Sequence, residues 1–194
     1  MHVRLLCSIA VLLVAGVPSL TAQQATKDPP TAVLSSGPQV GTWAPQFSLP
    51  WANKDGIGPA GNPYELWRDR GKTVVLAFYP RDFTTGGTAQ MRTFAERYDT
   101  LFGPDVVVVG INPDSLATHG RFAAKLGLPF RLLSDSGQQV ARKYGSRGAS
   151  GFPRRTIYVV GPDGRVAYRN LRFDETDPND YAELGAAVRS ARGS

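Results

Sequence analysis

Few residues of this chain could do chemistry. A thiol nucleophile needs a cysteine, and the one cysteine is Cys7, near the start of the chain. An imidazole-based site would have only His2 and His119 to draw on, so no His/Cys zinc cluster can be assembled. No Gly-x-Ser-x-Gly elbow occurs, since Gly148-Ala149-Ser150-Gly151 has the wrong spacing for a hydrolase nucleophile. The acidic run Asp174-Glu175-Thr176-Asp177 lacks the calcium-loop pattern and is expected to be a solvated loop and helix cap. Neither a metal nor a cofactor is expected.

What remains is a small set of polar groups beside glycine. Thr84 precedes a helical period, and its hydroxyl can cap that helix. Gly86-Gly87 reads as a flexible entry to it. Arg155, at the head of an apolar run, reads as a strand-end arginine paired with a carboxylate. The loop 145–155 sets Arg147, Arg154 and Arg155 among glycines, either as a mobile, solvated segment or as a basic rim over a pocket. His119 lies on a helix flank and is expected at the surface.

The start of the chain bears on the compartment. Arg4 followed by the apolar stretch Leu5–Val17 has the layout of a secretory signal, and that stretch is too short to span a bilayer comfortably. Small residues in Ser19-Leu20-Thr21-Ala22 place cleavage near Ala22, so residues 1–22 are expected to be a signal peptide. An uncleaved N-terminal anchor is the competing reading, and Cys7 sits too close to Met1 for a lipoprotein cysteine. Cleavage would give a periplasmic or secreted protein with no thiol and no transmembrane segment, whose fold must rest on packing without disulfides. The whole chain has 22 Lys+Arg against 16 Asp+Glu, a net charge of +6. Loss of the signal removes only Arg4 from that balance. This mild charge is spread along the chain without a helix-turn-helix, zinc-finger or aromatic-basic pattern, which argues against nucleic-acid binding.

One domain must position these residues. Residues 23–40 are polar, with Pro29-Pro30 and Ser35-Ser36-Gly37-Pro38, and read as a flexible linker. The domain is expected over 41–194. Gln46–Leu49 alternates as a short strand, Asn53–Pro63 is a Gly/Pro-rich loop, and Tyr64–Arg70 ends in a helical turn. The continuous apolar run Val74–Tyr79, stopped by Pro80, predicts a strand buried on both faces. From Thr88 the period becomes helical, with Met91, Phe94, Ala95, Tyr98, Leu101 and Phe102 on one stripe.

A second buried strand follows at Val106–Ile111, then a helix capped by Asp114 or Ser115 with Leu116, Phe122, Ala123 and Leu126 on its apolar side. Leu132-Leu133, a helix over Gln138–Tyr144 and a strand at Thr156–Val160 continue the alternation. Gly161-Pro162-Asp163-Gly164 turns into the strand Arg165–Tyr168. Asp177-Pro178 with Asp180 marks the start of a last helix, which carries Tyr181, Leu184 and Val188 inward. Strands alternating with helices predict an α/β fold with a mixed central sheet flanked by helices. That is what a thioredoxin-like fold needs.

Four ordered segments carry a resemblance. Gly41-Thr42-Trp43-Ala44-Pro45-Gln46-Phe47-Ser48-Leu49 resembles the opening of the alkyl-hydroperoxide-reductase and thiol-specific-antioxidant family. Gly71–Thr88, with Phe78-Tyr79-Pro80-Arg81-Asp82-Phe83-Thr84 at its heart, resembles the active-site segment of peroxiredoxins of the bacterioferritin-comigratory type. Leu128–Asp135 and Arg155–Val160 are similar to later family segments, so the resemblance covers about residues 41–192.

The resemblance implies a thioredoxin-like fold and peroxide reduction by a thiol, with thioredoxin or another thiol as reductant. In the family motif a Pro is followed, after three intervening residues, by Thr or Ser and, after two further intervening residues, by the peroxidatic Cys. Pro80 and Thr84 keep their places, but the Cys position is Gly87. The resolving Cys common in this type falls at Arg92, and the active-site Arg corresponds to Arg155. The resemblance therefore implies a site remnant at Pro80, Thr84, Gly87 and Arg155, without the sulfur that a sulfenic acid needs. A helix start and a guanidinium freed of their thiolate would favour an anion at Thr84, Gly86, Gly87, Thr88 and Arg155. Three functions are expected to compete: a non-catalytic protein that binds a small anion or an envelope protein, a thiol peroxidase in which Gly87 is a variant residue, and a structural envelope protein.

Overall fold

The computed structural model describes residues 36–193. The signal, its cleavage near Ala22, Cys7 and the linker as far as residue 35 lie outside the described residues. Short strands open the fold: β1 (Ser48–Leu49), β2 (Trp51–Asn53), β3 (Gly56–Ile57) and β4 (Tyr64–Glu65), followed by a 3₁₀ turn at Leu66–Asp69. The main elements are β5 (Thr73–Phe78), α1 (Thr85–Glu96), α2 (Tyr98–Leu101), β6 (Val106–Asn112) and α3 (Leu116–Leu126). Then come β7 (Arg131–Ser134), α4 (Gln139–Lys143), β8 (Thr156–Val160), β9 (Val166–Asn170) and α5 (Pro178–Arg192).

Seven strands form one sheet in the order β3-β2-β7-β6-β5-β8-β9, while β1 pairs with β4 apart from it. β6 runs parallel to β5 and β7, and β8 runs antiparallel to β5, so the sheet is mixed. Every residue of β5 is buried, because the strand has neighbours on both edges and packed layers on both faces. Val75 and Ala77 point to a core shared with Met91 and Phe94 of α1, Phe122 of α3 and Leu184 and Val188 of α5. Val74, Leu76 and Phe78 point the other way, toward Val140 and Ala141 of α4 and the Phe47, Leu49 and Tyr64 region. This is the α/β layering expected from the alternating pattern.

Local differences have local causes. Trp51–Asn53 and Gly56–Ile57 form a hairpin partly inside the segment expected to be a loop, its turn tied by the Asp55 N–H on Asn53 Oδ1 at 3.0 Å and opened by Gly56 at φ 133. Strands this short leave too few residues for an alternation to register. The long helical stripe divides at Arg97 into α1 and α2, and α1 begins at Thr85 rather than Thr88 because Thr84 caps it ahead of the two glycines.

Residues 36–44 run beside the outer strand of the sheet. Gly41 N–H donates to Val166 O, Val166 N–H to Thr42 O and Ala44 N–H to Gly164 O, at 2.8–3.0 Å. Arg169 donates to Ser36 O and Pro38 O. The domain's hydrogen bonds thus reach back past Gly41 into the last residues of the segment expected to be a linker.

Candidate functional site

The site lies where β5 ends and α1 begins. Pro80 follows the strand, and the turn 81–84 that connects the two elements is bound to the interior by one side chain. Asp82 is buried, and its carboxylate accepts from Tyr79 Oη at 2.6 Å and Asn112 Nδ2 at 2.8 Å, with His119 Nδ1 at 2.7 Å on the other oxygen. Its backbone N–H donates to Asp114 Oδ2 at 2.7 Å, and Arg81 Nε lies 3.3 Å from the other Asp114 oxygen. Burial, and then the neighbouring Asp82 charge, push the Tyr79 phenol well above its ordinary value. Phe83 completes the turn at φ 56, a left-handed conformation that costs a non-glycine residue about 1–2 kcal/mol. Its ring, half exposed, packs edge-on to Phe122 at 4.9 Å.

His119 corrects the surface expectation. Both it and the Asp82 side chain are fully enclosed. The signal was available in the periodicity: His119 stands three and four residues before Phe122 and Ala123, on the face that α3 buries. His119 Nε2 and both polar atoms of the buried Gln90 side chain find no protein partner. Asp82, Asn112 and Gln90 were not singled out, because an isolated polar residue in or beside an apolar run does not announce its partners.

Thr84 is the N-cap of α1. Its hydroxyl donates to Arg81 O at 3.0 Å and accepts from Gly87 N–H at 3.1 Å, while Thr84 O receives Thr88 N–H at 2.8 Å. The helix-start donors at Gly87 and Thr88 are therefore already bonded to Thr84. Gly87 is buried, and a Cβ built on it would collide with Arg81 O and approach Thr84 Oγ1 to 2.7 Å. The turn has closed over the position where a side chain would stand.

Arg155 reaches this helix start from the sheet. The antiparallel register sets Thr156 opposite Phe78, so Arg155 leaves β8 beside the turn that follows β5. A Cβ at Gly86 would strike Arg155 Nη2 and Glu175 Oε1. Arg155 Nε lies 2.9 Å from Glu175 Oε2, an ion pair without the alignment of a full hydrogen bond. The expected carboxylate partner of Arg155 is thus Glu175. The neighbouring Asp177 caps α5 by accepting from Asn179 N–H, as expected of that acidic run.

The structure brings Pro80, Thr84, Gly86, Gly87, Thr88 and Arg155 to one end of the sheet. It also identifies the carboxylate at that end as Glu175. The loop 145–155 is internally bonded, with Arg154 donating to Gly145 O at 2.5 Å and Ser146 Oγ to Arg154 O at 3.0 Å. Arg81 stacks over Phe152 of that loop at 5.4 Å. Arg92 is exposed on α1. Among the described residues no group of His, Cys, Asp and Glu could hold a metal ion, and no helix is long and apolar enough to cross a membrane.

Known proteins resemble this chain in sequence and in fold. Residues 40–169 match the AhpC/TSA family. A chloroplastic peroxiredoxin Q from Sedum lineare is 38% identical over 134 residues, 67% of this chain and 68% of the relative. Peroxiredoxin Bcp from Bacillus subtilis is 34% identical over 106 residues, 55% of this chain and 63% of the relative. The match to peroxiredoxin Q from Triticum aestivum spans 61% of that relative, so several of these relatives are matched over less than two thirds of their length. Among solved structures, peroxidoxin BcpB from Mycobacterium tuberculosis superposes with a TM-score of 0.67 at 26% identity, covering 80% of this chain and 99% of that one. A PrxQ mutant from Xylella fastidiosa gives 0.68 at 20% identity, covering 80% and 98%, a likeness of fold. The fold is the thioredoxin-like one of peroxiredoxins, and the chain belongs to the AhpC/TSA family as a peroxiredoxin of the bacterioferritin-comigratory type.

Proposed function

We propose that this chain is an exported, non-catalytic member of its family that keeps the old active-site end as a weak site for a small anion or a partner. Gly87 carries the reading. In the motif register it stands at the peroxidatic position, and the space of its missing side chain is taken by Arg81 O and Thr84 Oγ1. Thiol peroxidases attack the peroxide O–O bond with a thiolate and hold the oxygen as a sulfenic acid. Gly87 has no atom to do this, and Met91, fully buried in α1, has a thioether that does not turn over without a reductase. Thioredoxin or another thiol, the reductant of relatives, would find nothing to reduce.

The anion reading is a weak-affinity one. A helix start contributes about 0.3 to 1 kcal/mol and a charged hydrogen bond about 1.5 to 3. Millimolar affinity needs about 4 kcal/mol. Millimolar or weaker binding is therefore expected.

The mature protein should reduce hydrogen peroxide with dithiothreitol no faster than buffer. Gly87→Cys should gain measurable activity and lose it again when Thr84→Val or Arg155→Met is added. Its new side chain must displace the Arg81–Thr84 turn, at a cost of about 1–3 kcal/mol in stability. A folded Gly87→Cys protein with an ordinary thiol pKa and no turnover would overturn the active-site register. Turnover by the unmodified mature protein would overturn the proposal itself. The same preparations check export by intact mass: the secreted form should begin near residue 23 and ignore a maleimide, whereas Cys7 retained in a soluble product contradicts it.

A further inference from the structure

Arg155 already holds an anion, and that anion belongs to the chain. The Arg155 and Glu175 side chains are 22% and 17% exposed, and the second carboxylate oxygen lies against Gly86, where only a residue without a Cβ leaves room for it. We infer that Glu175 is the resident ligand of the site, an internal carboxylate that occupies the guanidinium and keeps small external carboxylates out until its side chain swings away. This rests on the anion-site reading, and it names both the ligand class and what controls access.

Three observations make Glu175 a gate rather than a strut. First, the backbone around it is fixed without the ion pair. Phe173 N–H donates to Arg155 O at 3.1 Å and its ring packs on Phe94 and Tyr181 at 6.1 and 5.1 Å. Tyr181 Oη donates to the backbone oxygen of Glu175 at 3.0 Å, and Asp174 N–H to Asp180 Oδ2 at 2.6 Å. The carboxylate can therefore rotate off Arg155 while the segment stays in place. Second, the pair is close in distance but poorly aligned, so few hydrogen bonds oppose its release. Third, the group it would leave behind is one that receives a planar two-oxygen anion, the Arg155 guanidinium, beside Gly86 where no Cβ takes up the space.

Acetate is the probe, titrated into the mature chain at constant ionic strength and followed by NMR at the Gly86 and Gly87 amides and the Arg155 side chain. Glu175→Gln should bind acetate on the order of tenfold more tightly than the unmodified chain, after discounting the Coulomb interaction for the exposed part of the pair. Adding Arg155→Met should abolish the gain. Glu175→Asp, one methylene shorter, should fall between the two and serves if Glu175→Gln does not fold. Equal affinity in all folded Glu175 variants, with shifts still at Gly86 and Arg155, would overturn the gate and leave the anion site standing. No shift in any variant at high acetate would overturn both.

Discussion

Asp82 and His119 are the residues on which the shape of the site depends most. The carboxylate gathers Tyr79, Asn112 and His119 in one enclosed cluster. Removing His119 leaves the enclosed Asp82 Oδ2 desolvated without its partner, which costs more than the net gain of forming such a pair. His119→Leu should therefore lower stability by about 3 kcal/mol in a urea unfolding experiment, and a loss under about 1 kcal/mol would show that the cluster is not coupled. The effect should reach the helix start, because Asp82 is the anchor of the turn whose carbonyl at Arg81 receives the Thr84 hydroxyl. Much of this was readable in residue types: Thr84 as a cap and Arg155 as a paired arginine follow from position alone. Glu175 was not readable as the partner, since nothing local in the sequence says that a loop residue twenty positions away returns to the head of β8.

Elements were legible where a period had room to repeat. β5 announced itself by an unbroken apolar run ended by Pro80, and α5 by Asp177-Pro178, which the structure places as N-cap and first helical residue. Of the short strands near the start, β1 lies within the alternation at Gln46–Leu49, whereas β2, β3 and β4 were hidden, for β4 and β2 are fixed by pairing with residues apart in the chain: Glu65 with Ser48, and Trp51 with Leu133. The first turn of α1 shows a different conflict. Two glycines argue locally against a helix, and the Thr84 cap together with the buried Met91 and Phe94 behind them prevails. That compromise lets Arg155 and Glu175 approach the helix start closely.

At the scale of the whole molecule, tyrosines run through the core. All seven tyrosines are held above their ordinary value of 10.0, each chiefly by burial, and Tyr64, Tyr79, Tyr144 and Tyr158 are enclosed. Burial that keeps the neutral form in the folded state makes stability full below pH 10 and lost above it, as the unfolded chain sheds protons that the folded chain keeps. Phenolate absorbance should thus lag at first and then rise cooperatively, together with the loss of circular dichroism. A gradual rise of all seven near pH 10 with the fold intact would contradict this packing.

The stretch that runs along β9 has a consequence of another kind. β9 is the outermost strand on its side of the sheet, and a bare edge is a template for pairing with another molecule. Gly41, Thr42 and Ala44 occupy the beginning of that edge, Arg169 ties down Ser36 and Pro38, and the guanidiniums of Arg70 and Arg165 stack on the Trp43 ring at 4.8 and 4.2 Å. The approach to the domain therefore doubles as a guard against edge-to-edge aggregation. Protein trimmed to begin at Pro45 should scatter light increasingly with concentration where the longer form stays dispersed; a trimmed form that remains equally dispersed would show that β9 needs no guard.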